Sequence, residues 1–405
     1  MTPDRINKPL LFAALCLVFV SGCARWITKP PSEPAAALVK VSSPERPFFS
    51  DDMNYDGLAN GIEKSLQYLR KRPAETTYVF GEDRYSAAHM IASLERFRDF
   101  IDQRPPPLEL NRFLAANYQV YRSVGSNGKG RVLFTGYYEP YLEGRLTQSD
   151  GFNYPVYSRP TDLTTIDLSL FSSDFKGKRL IGRVRNRQMV PYDDRHQIDY
   201  EGSLVGKAKV LAWVKDPIDL FFLQIQGSGK IFVNEADPIN VHYHTTNGRP
   251  YRSIGKLLLE EGKIPKDRMS MQSIRAYLVQ HPEEVKRIFS YNPSYVFFKI
   301  EEDGPLGYLG VRLTPGRSLA LDRRIFPLAA LAFVETQKPL INGDGRIRQW
   351  SELYRFVLNQ DTGGAIRGPG RADLFWGDGP YAVIAAGHMQ HEGSVYFLVL
   401  KPAGL

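Results

Sequence analysis

Residues 359–380 read NQDTGGAIRGPGRADLFWGDGP, and no other stretch says as much about the fold of this chain. It carries Asp361, Asp373 and Asp378 among many glycines. Glycine permits tight turns and close backbone approach, so a run this rich in glycine predicts loops carried on strands. Aspartates on such loops can do acid and base chemistry when a cleft shields them from water. The alternative is a surface cluster of turns, in which Asp and Gly are ordinary residues.

The N-terminus predicts a secreted, lipid-anchored protein. A short positive segment precedes an apolar run at residues 9–20 (PLLFAALCLVFV), which is too short to span a bilayer comfortably. Residues 20–23 (VSGC) resemble the bacterial lipobox, which implies cleavage of a signal peptide, residues 1–22, and lipidation of Cys23. Ala24 follows in place of an aspartate that would signal inner-membrane retention. This favours the outer membrane, with the chain facing the periplasm. An ordinary signal peptide that happens to contain a cysteine is the alternative.

Cysteine usage and charge exclude several classes of function. Cys16 would leave with the signal peptide and Cys23 would carry lipid, so a cysteine nucleophile and a Cys-rich metal site are excluded. The net charge is +8, and the sequence contains no block of five or six Lys/Arg residues. In the periplasm, a scattered basic excess favours the anionic polymer peptidoglycan as partner and argues against nucleic acid.

The remaining sequence predicts a tether, then helices, then mostly strands. Residues 23–48 are rich in proline and poor in large apolar residues, which predicts a tether. Apolar residues at helical spacing predict helices near residues 58–69, 91–101, 108–118, 254–261 and 271–288. Aromatic and β-branched runs predict strands at residues 132–138, 220–233 (as two strands), 295–300, 308–313, 381–386 and 395–400. The pattern is mainly β with helices at one end, and the length suggests two domains.

Two motifs place hydrogen-bonding side chains beside glycines. In residues 134–140 (FTGYYEP), tyrosine faces can stack on sugar rings, and hydroxyls can bond sugar hydroxyls. The alternative is a buried strand with aromatic core residues. In residues 224–229 (QIQGSG), Gln224 and Gln226 would share one face of a strand and could bind N-acetyl groups. The alternative is a polar solvent face that ends in a turn.

Two shorter signals point weakly to other chemistry. His242 and His244 alternate along a strand, and His388 and His391 stand at helical spacing, but neither pair has the further ligands that a closed metal site needs. Asp361 opens the tripeptide Asp-Thr-Gly, which aspartic proteases use in two copies. Only one copy is present, so an aspartic protease stays a rival interpretation.

Three segments together resemble one protein family. They are residues 134–140, residues 221–229 (FFLQIQGSG) and residues 319–402, the last with the strings ALDR, QDTGGAI and ADLFWG. Their order and spacing resemble the membrane-bound lytic murein transglycosylase A family, which consists of lipoproteins of Gram-negative bacteria. The three aspartates after which the family's C-terminal region is named fall on Asp322, Asp361 and Asp373.

The resemblance implies a mainly β fold in two parts. It implies a double-psi β-barrel domain with N-terminal helices, formed by residues 49–140 and 303–405. The three-aspartate region, residues 319–402, lies in this domain. A smaller β domain is inserted at residues 141–302, and a groove separates the two domains.

The resemblance also implies a reaction. Members of the family cleave the β-1,4 bond between N-acetylmuramic acid and N-acetylglucosamine in peptidoglycan without water, leaving 1,6-anhydromuramic ends. One carboxyl group first protonates the leaving oxygen and then takes the proton of the attacking C6 hydroxyl. Asp373 matches the catalytic aspartate, and Asp361 and Asp322 match the supporting acidic residues. The substrate-binding residues implied by the resemblance are Thr135, Tyr137, Tyr138, Gln226, Gly227 and Ser228.

By the same resemblance, catalysis needs no metal and no organic cofactor. The implied partners are peptidoglycan glycan strands, the outer membrane through the lipid anchor, and proteins of cell-wall synthesis or hydrolysis. Asp378 is close in sequence, and a secondary electrostatic role for it stays open. The alternative function is that of a non-catalytic or expansin-like peptidoglycan-binding protein, which would yield no anhydro sugars.

Overall fold

The computed structural model describes residues 33–233 and 238–402. The predicted signal peptide, Cys23 and the first part of the predicted tether lie outside the described residues. Residues 31–405 form one compact unit. Among the described residues, no helix combines the length and apolar character that crossing a membrane requires.

Within the described residues, helices and strands alternate irregularly along the chain. The helices are α1 Leu58–Leu69, α2 Ala87–Ile101, α3 Pro107–Asn117, α4 Arg195–Tyr200, α5 Pro217–Gln226, α6 Ile254–Glu260, α7 Met271–Gln280, α8 Val285–Tyr291 and α9 Gly379–His388. The strands are β1 Leu38–Lys40, β2 Thr77–Phe80, β3 Asp83–Ser86, β4 Tyr118–Ser123, β5 Val132–Tyr137, β6 Tyr141–Arg145, β7 Tyr154–Tyr157, β8 Thr164–Asp167, β9 Arg179–Arg185, β10 Gln188–Pro191, β11 Val210–Val214, β12 Ser228–Phe232, β13 Ile239–Thr246, β14 Val296–Glu301, β15 Ser318–Ala320, β16 Leu331–Ile341, β17 Ile347–Asp361, β18 Arg371–Phe375 and β19 Gln390–Leu400.

A closed barrel of six strands forms the main body. Its strands follow one another in the order β5, β19, β16, β17, β15 and β18, and β18 pairs with β5 to close the ring. The β15–β17 and β5–β18 pairs are parallel, whereas the other pairs in the ring are antiparallel. The mainly β fold predicted from the sequence is confirmed at this level.

Both faces of the long barrel strands are covered, which explains their continuous apolar runs. In β16, the four residues from Leu331 to Val334 are all buried. On the outside, helix α2 covers the barrel, and the ring centroids of Phe97 and Phe356 lie 5.0 Å apart. In α1, the apolar residues at helical spacing, Leu58, Ile62, Leu66 and Leu69, are all buried. The helices predicted near residues 58–69 and 91–101 are therefore confirmed.

Residues between β5 and β15 build two further sheets. One has six strands in the order β14, β13, β12, β6, β11 and β7, and the other has three in the order β10, β9 and β8. Helix α5 is buried on two sides, because Leu220 and Leu223 join one apolar cluster whereas Phe221 and Phe222 join another.

The predicted pair of strands at residues 220–233 is wrong in its first half. Asp216 accepts a hydrogen bond from the N–H of Ile218, Pro217 opens helix α5, and Gly227 ends it with a φ of 84°. Because six residues from Ile218 to Gln224 are buried, the apolar run has no polar face that would reveal helical periodicity. Gln224 and Gln226 therefore lie on a helix and do not share the face of a strand.

Three other predictions from the sequence are wrong. Residues 381–386 belong to helix α9, since a short buried apolar run does not distinguish a helix from a strand. Residues 308–313 form a turn at Gly310, closed by an isolated bridge between Leu306 and Arg312. The predicted tether contains strand β1, which pairs with β4 because Ala37 and Leu38 are buried in the main core.

Candidate active site

Asp373 lies in the middle of strand β18, between two barrel strands. Its backbone pairs with Thr135 of β5 on one side and with Ala320 of β15 on the other. The Thr135 hydroxyl donates a hydrogen bond of 2.6 Å to Asp373 Oδ1. Arg371 lies two residues earlier on the same face of β18, and its Nη2 donates to Thr135 Oγ1 at 3.3 Å. The Thr135 hydroxyl therefore contacts both the Arg371 guanidinium and the Asp373 carboxylate.

Asp361 ends strand β17, which pairs with β15 on the side opposite to β18. Its backbone pairs with Ala320, so β15 carries Asp361 and Asp373 on its two flanks. The Tyr137 hydroxyl donates to Asp361 Oδ2 at 2.8 Å. The N–H groups of Tyr308 and Thr362 donate to Asp361 Oδ1 at 2.9 and 2.8 Å. Thr135 and Tyr137, both on β5, therefore hold one aspartate each.

Burial raises the pKa of both carboxyl groups. Desolvation raises the pKa of Asp361 to about 6, against the lowering effect of its bonds from Thr362, Tyr137 and Tyr308. Desolvation also raises the pKa of Asp373 to about 6. The Thr135 hydroxyl and the Arg371 charge oppose this rise, and the negative charge of Asp361 adds to it. A carboxyl with such a pKa is available in both protonation states near neutral pH.

Asp322 has a different environment from the other two aspartates. Arg324 donates to both of its oxygens, at 2.9 and 2.6 Å, and the N–H of Gly368 donates to Oδ2 at 2.8 Å. Burial would raise the pKa of Asp322, but the bonds from Arg324 and Gly368 outweigh burial and lower it. The Asp322 side chain therefore stays ionised and fastens the loop after β17 to the segment after β15.

Gln226 links helix α5 to the end of strand β5. Its Oε1 accepts a hydrogen bond of 3.0 Å from the N–H of Tyr138, and its Nε2 lies 3.6 Å from Met271 Sδ. The Tyr138 side chain is 9% exposed. Gly227 and Ser228 follow at the turn from α5 into β12. The Gln224 side chain is buried.

Several residues of this region escaped the sequence analysis. Lys230 of β12 contacts Asp378 at 2.8 Å and Glu139 at 3.1 Å. A pocket of about 300 Å³ opens beside this ion-pair cluster, and its lining includes Glu139, Asp219 and Phe222. In the sequence, the only signal for Lys230 was its position two residues after Ser228, which places both side chains on the same face of a strand. The same signal applied to Arg371, because it lies two residues before Asp373 on one strand.

His388 and His391 do not share a helix, whereas His242 and His244 both lie in strand β13. His388 ends helix α9 and shares a hydrogen bond with the carbonyl of Ile384, whereas His391 lies in β19 with its ring 3.9 Å from that of Trp350. Their predicted helical spacing is therefore wrong. Burial lowers the pKa of His242 to about 4, which keeps that ring neutral.

Two family profiles match most of the residues that the structure describes. One, described as the MltA specific insert domain, matches residues 133–299, and the other, described as the 3D domain, matches residues 317–399. A protein of Escherichia coli (strain K12) named membrane-bound lytic murein transglycosylase A is 36% identical over 285 residues, which are 70% of this chain and 69% of that protein. This chain belongs to the membrane-bound lytic murein transglycosylase A family. A Vibrio cholerae protein of the same name is 32% identical over 76% of this chain and 75% of its own length.

Solved structures of this family share the fold. The crystal structure of a membrane-bound lytic murein transglycosylase from Agrobacterium tumefaciens superposes with a TM-score of 0.72 at 30% identity, covering 90% of this chain and 98% of that one. The structure of E. coli MltA with bound chitohexaose gives a TM-score of 0.70 at 26% identity, covering 93% and 97%. The 3D domain profile spans Asp322, Asp361 and Asp373, and the insert profile spans the predicted substrate-binding residues.

Proposed function

We propose that this chain is a lytic transglycosylase that cleaves the β-1,4 bond between N-acetylmuramic acid and N-acetylglucosamine in peptidoglycan. A single observation carries the proposal: a half-buried aspartate, Asp373, with a pKa of about 6 and a hydroxyl donor on its carboxylate. The family membership, and the chitohexaose bound in the E. coli structure, support a glycan as substrate.

Asp373 would serve both proton transfers of the reaction. In the first step its protonated carboxyl gives a proton to the glycosidic oxygen, and the bond from C1 of muramic acid to that oxygen breaks. In the second step the C6 hydroxyl of the same sugar attacks C1, and the Asp373 carboxylate takes the hydroxyl proton. The carboxyl ends as it began, no water is consumed, and the product carries a 1,6-anhydro ring.

The neighbouring residues would assist Asp373 in separate ways. The charge of Asp361 raises the pKa of Asp373 and so favours the acid form. Asp322 would hold the loop at Gly368 in place through its ion pair with Arg324. The glycan would be bound by Thr135, Tyr137, Tyr138, Gln226, Gly227 and Ser228.

The finer points of the architecture are part of the same proposal. The six-stranded barrel would be of the double-psi type, and a groove between the barrel and residues 141–302 would receive the glycan. The two additional sheets, which begin with β6 and end with β14, support these insert boundaries. The pairing of β1 with β4 moves the start of the barrel domain from residue 49 to before Leu38.

The protein would act at the outer membrane, facing the periplasm. The lipobox-like residues 20–23 support lipidation of Cys23, and the relatives carry membrane-bound in their names. Proteins of cell-wall synthesis or hydrolysis are its proposed protein partners. The reaction needs only side-chain chemistry, because one carboxyl can serve both proton transfers.

The rival functions are less well supported. An aspartic protease needs two aspartates that share one proton, but here Asp373 Oδ1 accepts from Thr135, and both oxygens of Asp361 accept from other donors. A non-catalytic binding protein has no need of a carboxyl that titrates near neutral pH, and an expansin-like protein, which also uses an aspartate, would yield no anhydro sugars. Mass spectrometry of digested sacculi separates these functions, because only the transglycosylase leaves 1,6-anhydro ends.

A further inference from the structure

The three-stranded sheet of β8, β9 and β10 has one face turned to the protein and one to solvent. A Cβ atom at Gly248 would lie 2.7 Å from the Cβ of Ile181, so Ile181 points towards the body of the insert. Side chains alternate along a strand, so Leu180 and Val184 point the other way. These two side chains are 48% and 62% exposed.

The loop between β8 and β9 extends this outer apolar surface. Leu170, Phe171 and Phe175 are 83%, 73% and 40% exposed. A backbone hydrogen bond closes the loop, because the N–H of Leu168 donates to the carbonyl of Lys178 at 3.0 Å. It contains two 3-10 turns, Leu168–Leu170 and Ser173–Phe175, each with a side-chain cap. We call Leu170, Phe171, Phe175, Leu180 and Val184 the apolar patch.

Basic side chains alternate with the residues of the apolar patch along the chain, and we call them its basic rim. Residues 164–190 contain six Lys and Arg against two Asp. Among these basic residues, Arg183 has a carboxylate partner within the described part of the chain, Asp193 at 2.7 Å. The other five form no ion pair with a described residue and are exposed, and they are Lys176, Lys178, Arg179, Arg185 and Arg187. A turn at Asn186 and Arg187, both with positive φ, presents the last two at the tip of the β9–β10 hairpin.

We infer that the apolar patch docks on an anionic phospholipid surface. Exposed aliphatic and aromatic side chains inside a basic rim are the pattern of segments that lie in a membrane interface. The rim attracts lipid phosphates, and the acyl boundary accepts Leu170 and Phe171, which a hydrophilic glycan would not bury. Contiguous apolar patches on soluble proteins mark interaction sites, and the unbalanced positive charge selects an anionic one.

This contact is independent of the proposed lipid at Cys23 and of catalysis. None of the residues of the apolar patch or its basic rim belongs to the candidate active site. If Cys23 carries lipid, the patch would be a second contact with the same membrane, which would restrict how the anchored enzyme tumbles above it. Two weak membrane signals bind much more stably together than either does alone.

The test measures vesicle binding by residues 31–405, which form a compact unit with all of the main core between Ala37 and Val399. Cosedimentation is compared for vesicles of phosphatidylcholine alone and of phosphatidylcholine with phosphatidylglycerol. One variant combines Leu170→Ser with Phe171→Ser, and a second combines Lys176→Gln, Lys178→Gln and Arg185→Gln. A matched control combines Leu108→Ser with Val279→Ser, two apolar residues elsewhere that are 68% and 59% exposed.

The wild type is expected to pellet with the anionic vesicles and not with the neutral ones. The charge variant should bind the anionic vesicles about fivefold less for each charge removed. The apolar variant should bind at least about tenfold less, since two large side chains no longer enter the interface. The control and both variants should digest sacculi at the wild-type rate.

Three results would overturn the inference. The first is a wild type that stays in solution with anionic vesicles. The second is binding that neither variant weakens. The third is a wild type that dimerises in gel filtration, becomes monomeric with Leu170→Ser and Phe171→Ser, and does not bind vesicles, which would assign the patch to a second copy of the chain.

Discussion

The hydroxyl of Thr135 donates a 2.6 Å hydrogen bond to Asp373 Oδ1 across the parallel pair β5–β18. Because Arg371 Nη2 donates to the same oxygen of Thr135, the hydroxyl proton is directed at the carboxylate. The bond stabilises the charged form of Asp373 and so limits the rise in its pKa. Burial therefore raises the pKa of the proposed acid, and the hydroxyl that strand pairing places beside Asp373 limits the rise.

Replacing Thr135 with valine should move the pH dependence of activity. Thr135→Val removes the donor but keeps the shape, so the pKa of Asp373 should rise. The first step needs the acid form, so the alkaline limb of kcat/KM should move to higher pH. Release of 1,6-anhydromuropeptides across a pH series measures this. Thr135→Ser keeps the hydroxyl and should leave the limb in place, and a limb that moves to lower pH in Thr135→Val would contradict the role of the bond.

Removing either of the half-buried carboxyl groups of Asp361 and Asp373 should stabilise the fold at neutral pH. Folding raises the pKa of Asp373 from 3.8 to about 6, so the folded chain binds its proton more tightly than the unfolded chain. Wild-type stability should therefore fall as pH rises from about 4 to about 6, and Asp373→Asn should escape this loss. The gain in the free energy of unfolding is at most about 3 kcal/mol above pH 6 and vanishes below pH 4.

Denaturant unfolding of the wild type and Asp373→Asn at pH 4 and pH 7 measures this gain in the free energy of unfolding. Asp361→Asn should show the same gain, because burial also raises the pKa of Asp361 to about 6. Asp378→Asn is the control of opposite sign. Burial would raise the pKa of Asp378, but its bond from Lys230 outweighs this and lowers it, so the wild-type carboxylate stabilises the fold at neutral pH. A gain for Asp373→Asn that is equal at both pH values would show that desolvation of the charged carboxylate is not its cause.

The sequence predicted some elements of this fold and could not predict others. Helix α1 was readable because its four buried apolar residues recur at helical spacing against a polar face. Helix α5 was misread, since it is buried between two clusters and has no such face. Strand β1 was missed because three residues within a proline-rich segment carry no strand pattern, and only the partner strand β4 makes them one.

The residues of the candidate site were likewise predictable from the sequence only in part. The glycine-rich stretch identified Asp361 and Asp373 as candidates, since both types of residue stand out in sequence. Their partners depend on long-range pairing: Thr135 lies 238 positions from Asp373, and Tyr137 lies 224 positions from Asp361. The separate environment of Asp322 follows from Arg324, whose ion pair a motif does not reveal.

Gln226 should affect substrate binding more than the chemical step. Its Oε1 accepts from the backbone of Tyr138, which holds the end of β5 beside α5. Gln226→Ala removes this acceptor, and the apparent KM should rise more than kcat falls if its contacts are alike in the ground and transition states. Gln226→Glu keeps an acceptor oxygen and should retain more of the affinity. Kinetics on sacculi with both variants measure this, and an unchanged KM for Gln226→Ala would place the residue outside the binding surface.

Cys23 should decide where the protein is found. Cys23→Ala removes the thiol that lipidation requires, so the chain should leave the outer-membrane fraction or remain as an uncleaved precursor. Fractionation with immunoblotting of both forms provides the measurement. Sedimentation of the variant with the outer membrane, in the amount and size of the wild type, would contradict a lipid anchor at this residue.

The most direct test of the proposed reaction is the product spectrum of Asp373→Asn beside that of the wild type. Asparagine keeps the shape and the acceptor for Thr135 but cannot exchange a proton. Purified proteins, checked for folding by circular dichroism, are incubated with sacculi and the released fragments are analysed by mass spectrometry, with Asp378→Asn, in the segment between β18 and α9, as the control. The account predicts 1,6-anhydromuropeptides from the wild type and the control, and a loss of at least about 10²-fold for Asp373→Asn with glycan binding intact. Near-normal activity of Asp373→Asn, or reducing ends in place of anhydro ends from the wild type, would contradict it.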